Sequence, residues 1–217
     1  MEKKSGRGKQ SHPDYMRLGS MSGGARVASH IRTDLMDFCR LVECANRCVY
    51  VVLGGVKMVG VYSKCRARVH GMMQWLEGIQ ASIGSGHWVL IGDWIAHHVR
   101  WSLDGRGDPV GRVIYEWQVA RGARLVRGRE HTFERRRRNG VVVSRIDFAI
   151  AGGCREPESL VTGWGLSDHS AIGCMVAVEG FEEAVGNSNN NTSGTSAWSI
   201  KTTKASPTSM KTELYSA

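Results

Sequence analysis

The segment 131–150 limits the fold more than any other part of the sequence. Two β-rich runs, 131–138 and 141–150, lie on either side of Asn139-Gly140. An Asn-Gly pair tolerates the positive φ angles that a two-residue hairpin turn requires, so it is a strong local hairpin signal. The sequence therefore predicts an antiparallel hairpin here, and a fold that contains at least one β-sheet.

Strand-like and helix-like patterns alternate through the central part of the chain. Further β-rich runs lie at 48–53, 56–62, 87–91 and 171–178, and Gly54-Gly55 separates the first two as a hairpin turn would. A first helix is predicted from apolar residues at helical spacing: Val69, Met72, Met73, Leu76, Ile79 and Ile83. A second helix is predicted from Val110, Val113, Ile114 and Trp117. This alternation predicts an α/β fold, while segment 31–45 fits either a helix or strands.

The two ends of the chain differ in composition from the centre. Residues 1–24 are polar, glycine-rich and basic, and residues 183–217 are dominated by Asn, Ser, Thr, Gly and Lys. Such segments bury too little apolar surface to offset the entropy of ordering. We expect a disordered leader, a folded domain over 25–182 and a disordered polar tail. Because no membrane-length apolar run or signal-like stretch is present, we expect an intracellular protein without a membrane partner.

Positive charge is concentrated in one short stretch. The chain carries a net charge of +9, and residues 121–145 hold nine arginines against two glutamates. Such a run is either a solvated surface or a site for a polyanion. The six cysteines show neither C-x-x-C pairs nor zinc-site spacing, so they are expected to be plain reduced thiols.

Three polar points follow or interrupt the predicted strands. Asp93 ends a buried strand, Asp147 lies within an apolar strand, and the pair Asp168-His169 precedes the last strand. A buried aspartate requires a hydrogen-bond or cationic partner, and His169 could supply one to Asp147. An imidazole held in this way is suited to contact a phosphate, and the carboxylates of Asp93 and Asp168 suit Mg²⁺.

The order of these motifs resembles the second half of the endonuclease/exonuclease/phosphatase superfamily. The motifs are GDW-x-A-HH-x-x-W, then HTF, S-R-I-D-F and G-L-S-D-H-S. The HH-x-x-W extension and the preceding GVKMVGVYSK run resemble the endonuclease module of non-LTR retrotransposons. The resemblance implies a four-layer α/β sandwich, incomplete at its N-terminal side, with a Mg²⁺ site at the common end of two sheets. It also implies phosphodiester cleavage and DNA as the partner, with which a nuclear location would agree.

The resemblance also implies roles for single residues. Tyr62 matches a tyrosine that contacts the scissile phosphate, and Asp93 matches the aspartate that orients the attacking water. Asp147 and His169 match the supporting aspartate and the catalytic histidine, and Asp168 matches a metal-linked aspartate. Thr132 matches a phosphate-side threonine. The expected contacts to the DNA backbone are Arg145 and the run Arg135, Arg136, Arg137 and Arg138.

Two departures from the family pattern predict impaired chemistry. The motif G-D-x-N has Ile95 at its fourth position, and isoleucine offers neither the carbonyl nor the amide of asparagine. The metal-binding glutamate of the family's first half has no counterpart before Arg26, where Glu2 and Asp14 are the only acids. Four interpretations therefore stay open: an impaired endonuclease-type domain, a non-catalytic nucleic-acid-binding remnant, a phosphatase-type relative, and a fragment that does not fold stably.

Aromatic residues near these motifs allow more than one interpretation. Trp94 and Trp101 could stack on nucleic-acid bases, although packing in the core is the more common role of such residues. His97 and His98 are adjacent, and neighbouring side chains on an extended segment point in opposite directions. The two histidines are therefore not expected to share one metal ion.

Overall fold

The computed structural model describes residues 15–18, 27–45, 48–63, 68–138, 140–164, 168–177, 198–205 and 209–216. The first strands are β1 (Tyr15–Leu18), β2 (Val27–Arg32), β3 (Cys39–Ala45), β4 (Cys48–Leu53) and β5 (Val56–Tyr62), with a 3-10 helix, Thr33–Phe38, before β3. Helix α1 (Val69–Ile83), β6 (Trp88–Asp93), helix α2 (Pro109–Ala120) and β7 (Arg124–Val126) follow. The remaining strands are β8 (Phe133–Arg137), β9 (Gly140–Ser144), β10 (Asp147–Gly152), β11 (Arg155–Trp164), β12 (Ser170–Ala177), β13 (Trp198–Ala205) and β14 (Ser209–Ser216).

A six-stranded mixed sheet forms the centre of the described fold. Its strand order is β3-β4-β5-β6-β10-β7, in which β5 and β6 are parallel and the other neighbours are antiparallel. Helix α1 makes the crossover between the two parallel strands, as a β-α-β unit requires. Gly92 lies near the end of β6, where a Cβ atom would overlap the carbonyl group of Val61 on β5. Glycine thus allows the two strands to lie side by side next to the site.

The two helices cover one face of this sheet. Met72, Leu76, Ile79 and Ile83 of α1 are buried, whereas Val69 and Met73, which share the predicted apolar face, are exposed. Helix α2 begins at Pro109 after Asp108, whose carboxylate accepts a hydrogen bond of 2.7 Å from the Gly111 amide. This is a side-chain N-cap, which satisfies an amide that has no partner within the helix.

The opposite face of the sheet packs against β2 and β12. The buried residues of this second core include Ile31 of β2 together with Ile172, Cys174 and Val176 of β12. Alternate residues of β6 divide between the two cores, since Leu90 faces the helices and Ile91 faces β2 and β12. This layered arrangement confirms the predicted α/β sandwich.

The predicted hairpin is present, but its second strand is shorter than predicted. Strands β8 and β9 pair from Phe133 with Ser144 to Arg137 with Gly140. The chain then leaves this ribbon at Arg145, and the run from Asp147 joins the six-stranded sheet as β10. The apolar run 141–150 therefore contributes strands to two different sheets. Asn139 of the predicted turn lies outside the described residues.

The described parts of the two ends contain strands. Strand β1 pairs with β2, and β14 pairs in parallel with β2 and antiparallel with β13. Ladder hydrogen bonds use backbone groups, so a Thr-rich segment can add to a sheet with few apolar side chains. The division into a leader, a domain over 25–182 and a tail stays a prediction. Among the described residues, no helix is long and apolar enough to cross a membrane.

Candidate active site

Tyr62, Asp93 and Asp147 lie in one row across three neighbouring strands. Tyr62 of β5 is the register partner of Asp93 of β6, and Asp93 is the register partner of Asp147 of β10. Side chains at paired positions project from the same face of a sheet. This face is the one that packs against β2 and β12, because Tyr62 contacts that core. The row therefore lies at the end of the core between the two sheet layers.

His169 completes this row from the start of β12. Its Nδ1 atom lies 2.9 Å from Oδ2 of Asp147, and the two side chains are each 3% exposed. A carboxylate only accepts hydrogen bonds, so Nδ1 carries the proton and donates to Asp147. The contact fixes the ring's orientation and satisfies a buried carboxylate, as the sequence predicted for this pair.

Asp93, Asp147 and His169 form a compact group that could hold a metal ion. One ligand atom from each lies within 4.8 Å of the other two, and all three residues are buried. Two carboxylates so close together and shielded from water are costly unless a cation lies between or beside them. Oxygen ligands are those that Mg²⁺ prefers, so the donor set fits a divalent cation of this kind.

Comparison with solved structures identifies the architecture around this group. The endonuclease domain of TRAS1, a telomere-specific non-LTR retrotransposon, matches with a TM-score of 0.63 and 16% identity, over 77% of this chain and 82% of that domain. The chain has the endonuclease/exonuclease/phosphatase fold.

An endonuclease/exonuclease/phosphatase family protein from Bacteroides thetaiotaomicron gives a TM-score of 0.48 and 12% identity, over 74% of this chain and 72% of that one. A TM-score this low does not support a fold assignment by itself. No protein-family model and no curated protein sequence matches the chain.

Thr132 is a buried residue in this fold and supports the backbone of Asp147. Its Oγ1 atom accepts hydrogen bonds from the amides of Ile146, at 3.2 Å, and Asp147, at 3.0 Å. Its own carbonyl accepts from the amide of Ser170, at 2.8 Å. Thr132 is 1% exposed, so its side chain contacts the backbone next to the site and is not open to solvent, where a phosphate would bind.

Asp168 does not join the acidic group with Asp93 and Asp147. Its carboxylate forms an ion pair with Arg135, in which Nη2 and Oδ2 are 2.5 Å apart. Its carbonyl accepts a hydrogen bond from the amide of Glu134. The residue predicted to bind the metal is thus joined to the hairpin that was predicted to bind DNA.

Arg145 is enclosed by backbone carbonyl groups and does not lie on a surface that DNA could reach. Its guanidinium group donates to the carbonyl oxygens of Glu130, Trp101 and Arg129, and the residue is 5% exposed. Burial, and then the charge of Arg127, lower the pKa of Arg145 from its ordinary value. Arg145 therefore joins the loop before β8 to the loop after β6, and we exclude it from the candidate nucleic-acid surface.

Arg136, Arg137 and Arg138 remain exposed on the hairpin. Arg136 is the register partner of Val141 on the facing strand, where Val142 and Val143 are exposed as well. The ribbon therefore presents both cationic and apolar groups to solvent.

Ile95 retains a backbone conformation that suits asparagine better than isoleucine. Its φ angle is 46°, and no other non-glycine residue of the described chain has a positive φ. Asparagine adopts this left-handed conformation far more readily than a β-branched residue does. The amide of Ile95 donates to Oδ1 of Asp93 at 3.1 Å, so the turn still supports the carboxylate.

The aromatic residues near the site belong to the core. Trp94 stacks on Phe148, with ring centroids 5.3 Å apart, and Trp101 packs against the same ring at 4.8 Å. Both tryptophans are fully buried, so they are not available to stack on bases.

Two residues next to the site lie in the sequence motifs but were assigned no role from the sequence. Phe133 sets its ring edge-on to His169, with centroids 4.9 Å apart. Ser170 is buried, and within the described structure its hydroxyl has no hydrogen-bond partner. The positions of the two residues within the motifs HTF and G-L-S-D-H-S were the available clues.

Proposed function

We propose that this chain is a Mg²⁺-dependent endonuclease-type domain of retrotransposon kind that acts on the phosphodiester bonds of DNA, and that Ile95 impairs the reaction. One observation carries the proposal: the buried Asp147–His169 pair lies next to Asp93 at the end of the inter-sheet core. A likeness to an endonuclease domain of a non-LTR retrotransposon supports the choice of substrate.

His169 is the residue proposed to act on the phosphate. The hydrogen bond from its Nδ1 to Asp147 holds the ring in one orientation, and the neighbouring carboxylate stabilises a protonated ring. This arrangement favours stabilisation of the negative charge that develops on the phosphate oxygens. Tyr62, in register with Asp93, is proposed to contact the same phosphate.

Asp93 is proposed to accept a hydrogen bond from the attacking water and so orient it. A bound Mg²⁺ would polarise the phosphate and stabilise the leaving oxygen, and Asp93 and Asp147 are the carboxylates that would hold it. In this chain Asp168 is engaged by Arg135, so we assign it no metal contact.

Ile95 is proposed to slow the reaction because it supplies no amide to the phosphate or the water. Loss of one such preorganised contact commonly reduces the rate by about 10²–10³. We expect Ile95→Asn to raise the rate without reaching that of an intact endonuclease, because the acidic groups available to the metal are unchanged.

Nicking of supercoiled plasmid DNA with and without Mg²⁺ tests the proposal. We expect slow nicking or none from the natural chain, a faster reaction from Ile95→Asn, and no reaction from Ile95→Asn combined with His169→Ala. Nicking that survives His169→Ala would reject His169 as the catalytic group. Rapid nicking by the natural chain, lost in His169→Ala, would instead reject the impairment.

A second candidate function is nucleic-acid binding without cleavage. The exposed Arg136, Arg137 and Arg138 favour it, because arginine–phosphate contacts bind DNA with little sequence preference and release counterions. Fluorescence anisotropy with a labelled duplex should then show binding that falls steeply with salt. Binding without nicking, even in Ile95→Asn, would favour this function over the first.

A further inference from the structure

The four consecutive arginines of the hairpin are not equivalent. Two nitrogens of Arg135, Nε and Nη2, contact Oδ2 of Asp168 at 3.2 and 2.5 Å. The side chains of Arg136, Arg137 and Arg138 make no hydrogen bond or ion pair within the described structure. Side chains alternate between the faces of a strand, so Arg135 and Arg136 point to opposite faces of the ribbon.

Strand β8 is joined directly to the segment that carries His169. Phe133 forms a β-bridge with His169, and the amide of Glu134 donates to the Asp168 carbonyl at 2.8 Å. The guanidinium of Arg135 also lies over the ring of Phe133, 5.4 Å from its centroid. Arg135 therefore contacts two neighbours of His169. It forms an ion pair with Asp168, and its guanidinium group lies over the ring of Phe133.

We infer that Arg135 is a positioning residue that acts on His169 through Asp168 and Phe133, and that Arg136, Arg137 and Arg138 provide the hairpin's contacts with DNA phosphates. The charge of Arg135 is already balanced by Asp168, so a phosphate gains little from it. Its ion pair instead holds Asp168 in place directly before His169. The DNA-binding half of this inference rests on the proposed function, whereas the positioning half does not.

The positioning role is tested by ¹⁵N-histidine NMR of the whole chain, which reads the Nδ1–H···Asp147 hydrogen bond of His169. The resonance is assigned by its loss in His169→Gln. We expect it to shift or broaden in Arg135→Ala and to keep its position in Arg136→Ala, the matched control on the opposite face. Arg135→Lys, which returns a cation but not the two-nitrogen contact, should restore it in part. If Arg135→Ala does not fold, Arg135→Gln removes the charge while keeping the stem over Phe133.

The division of the arginine run is tested by DNA affinity as a function of salt, using a labelled duplex. Loss of a phosphate contact lowers the slope of log affinity against log salt by about 1. We expect this change in Arg136→Ala and an unchanged slope in Arg135→Ala. Asp168→Asn should release Arg135 to the DNA and make the slope steeper by about 1.

The possible outcomes separate the two proposals. An unmoved His169 resonance in Arg135→Ala overturns the positioning role. A slope that falls equally in Arg135→Ala and Arg136→Ala overturns the division of the run. If the natural chain binds no DNA at all, the nucleic-acid function fails, while the NMR result still decides the role of Arg135.

Discussion

The buried group around His169 and the exposed arginine hairpin come from one continuous stretch of chain, yet different forces define them. The group is fixed by strand register, by the Thr132 hydrogen bonds and by the Asp147–His169 contact. The hairpin ribbon is fixed mainly by its own ladder, and its arginines from Arg136 onward face solvent. A charged or polar side chain therefore stabilises the fold in the buried group, whereas the side chains from Arg136 onward contribute little to the stability of the hairpin.

Two arginines eight positions apart test this contrast most strongly. Arg145→Ala leaves three carbonyl groups without their charged donor, so we expect the free energy of unfolding to fall by about 3 kcal/mol. Arg137→Ala removes the same charge from an exposed site and should change it by less than about 0.5 kcal/mol. Urea unfolding followed by tryptophan fluorescence measures both, and similar losses in the two variants would remove the distinction.

The sequence predicted which acidic and histidine side chains would meet, but it did not predict that Arg145 is buried while the arginines before it are exposed. Asp93, Asp147 and His169 were recognisable because each stands at a strand boundary, and short strand patterns survive in a single sequence. Arg145 could not be separated from the run before it, because its burial depends on carbonyl groups of residues 101, 129 and 130. Contacts of that kind depend on how distant loops meet, and no local pattern reports them.

Thr132 offers a second test on the buried side of the comparison. Thr132→Val keeps the shape but leaves the amides of Ile146 and Asp147 without their acceptor, and we expect a loss of about 2 kcal/mol. Thr132→Ser keeps the hydroxyl and should lose less than about 1 kcal/mol. The free energy of unfolding in urea measures both. Equal losses would mean that the methyl group, rather than the hydrogen bonds, stabilises this junction.

Ile95 should respond in the opposite direction. Its positive φ is strained for a β-branched side chain, so Ile95→Asn should raise the free energy of unfolding by about 0.5–1 kcal/mol. Ile95→Val retains the β-branch and the strain, and it should bring no gain. Thermal unfolding of the three proteins decides the matter, and a less stable Ile95→Asn would mean that the packing of the isoleucine outweighs its strain.

Segment 31–45 and the strands β13 and β14 could not be predicted from local sequence patterns, for other reasons. The sequence of segment 31–45 fitted either a helix or strands. The segment contains the end of β2, the 3-10 helix Thr33–Phe38 and β3, so its apolar residues follow neither the helical nor the strand spacing throughout. The strands β13 and β14 lack an apolar pattern, and β14 is paired through its backbone to β2, whose paired residues lie 183 positions earlier in the chain. A pairing between such distant segments depends on the rest of the fold being formed.

The smallest expected effect concerns His98, in the loop that follows Asp93. Its ring stacks on Tyr115, with centroids 4.3 Å apart, and its Nδ1 accepts from the Arg100 amide, which requires that nitrogen to be unprotonated. Burial lowers the pKa of His98 from its ordinary value of 6.5, and the charges of Arg100 and Arg112 lower it further. The unfolded chain therefore takes up a proton at higher pH than the folded one.

The stability that neutral His98 contributes is thus present above about pH 6.5 and is lost as the pH falls through the lowered pKa. In His98→Phe the stack is kept and this loss is absent, so we expect the melting temperature to fall less between pH 8 and pH 5 than in the natural chain. His70, which is exposed, provides the matched control, and His70→Phe should keep the natural pH dependence. If the melting temperature depends on pH in the same way in the natural chain and in His98→Phe, protonation of His98 does not destabilise the folded protein.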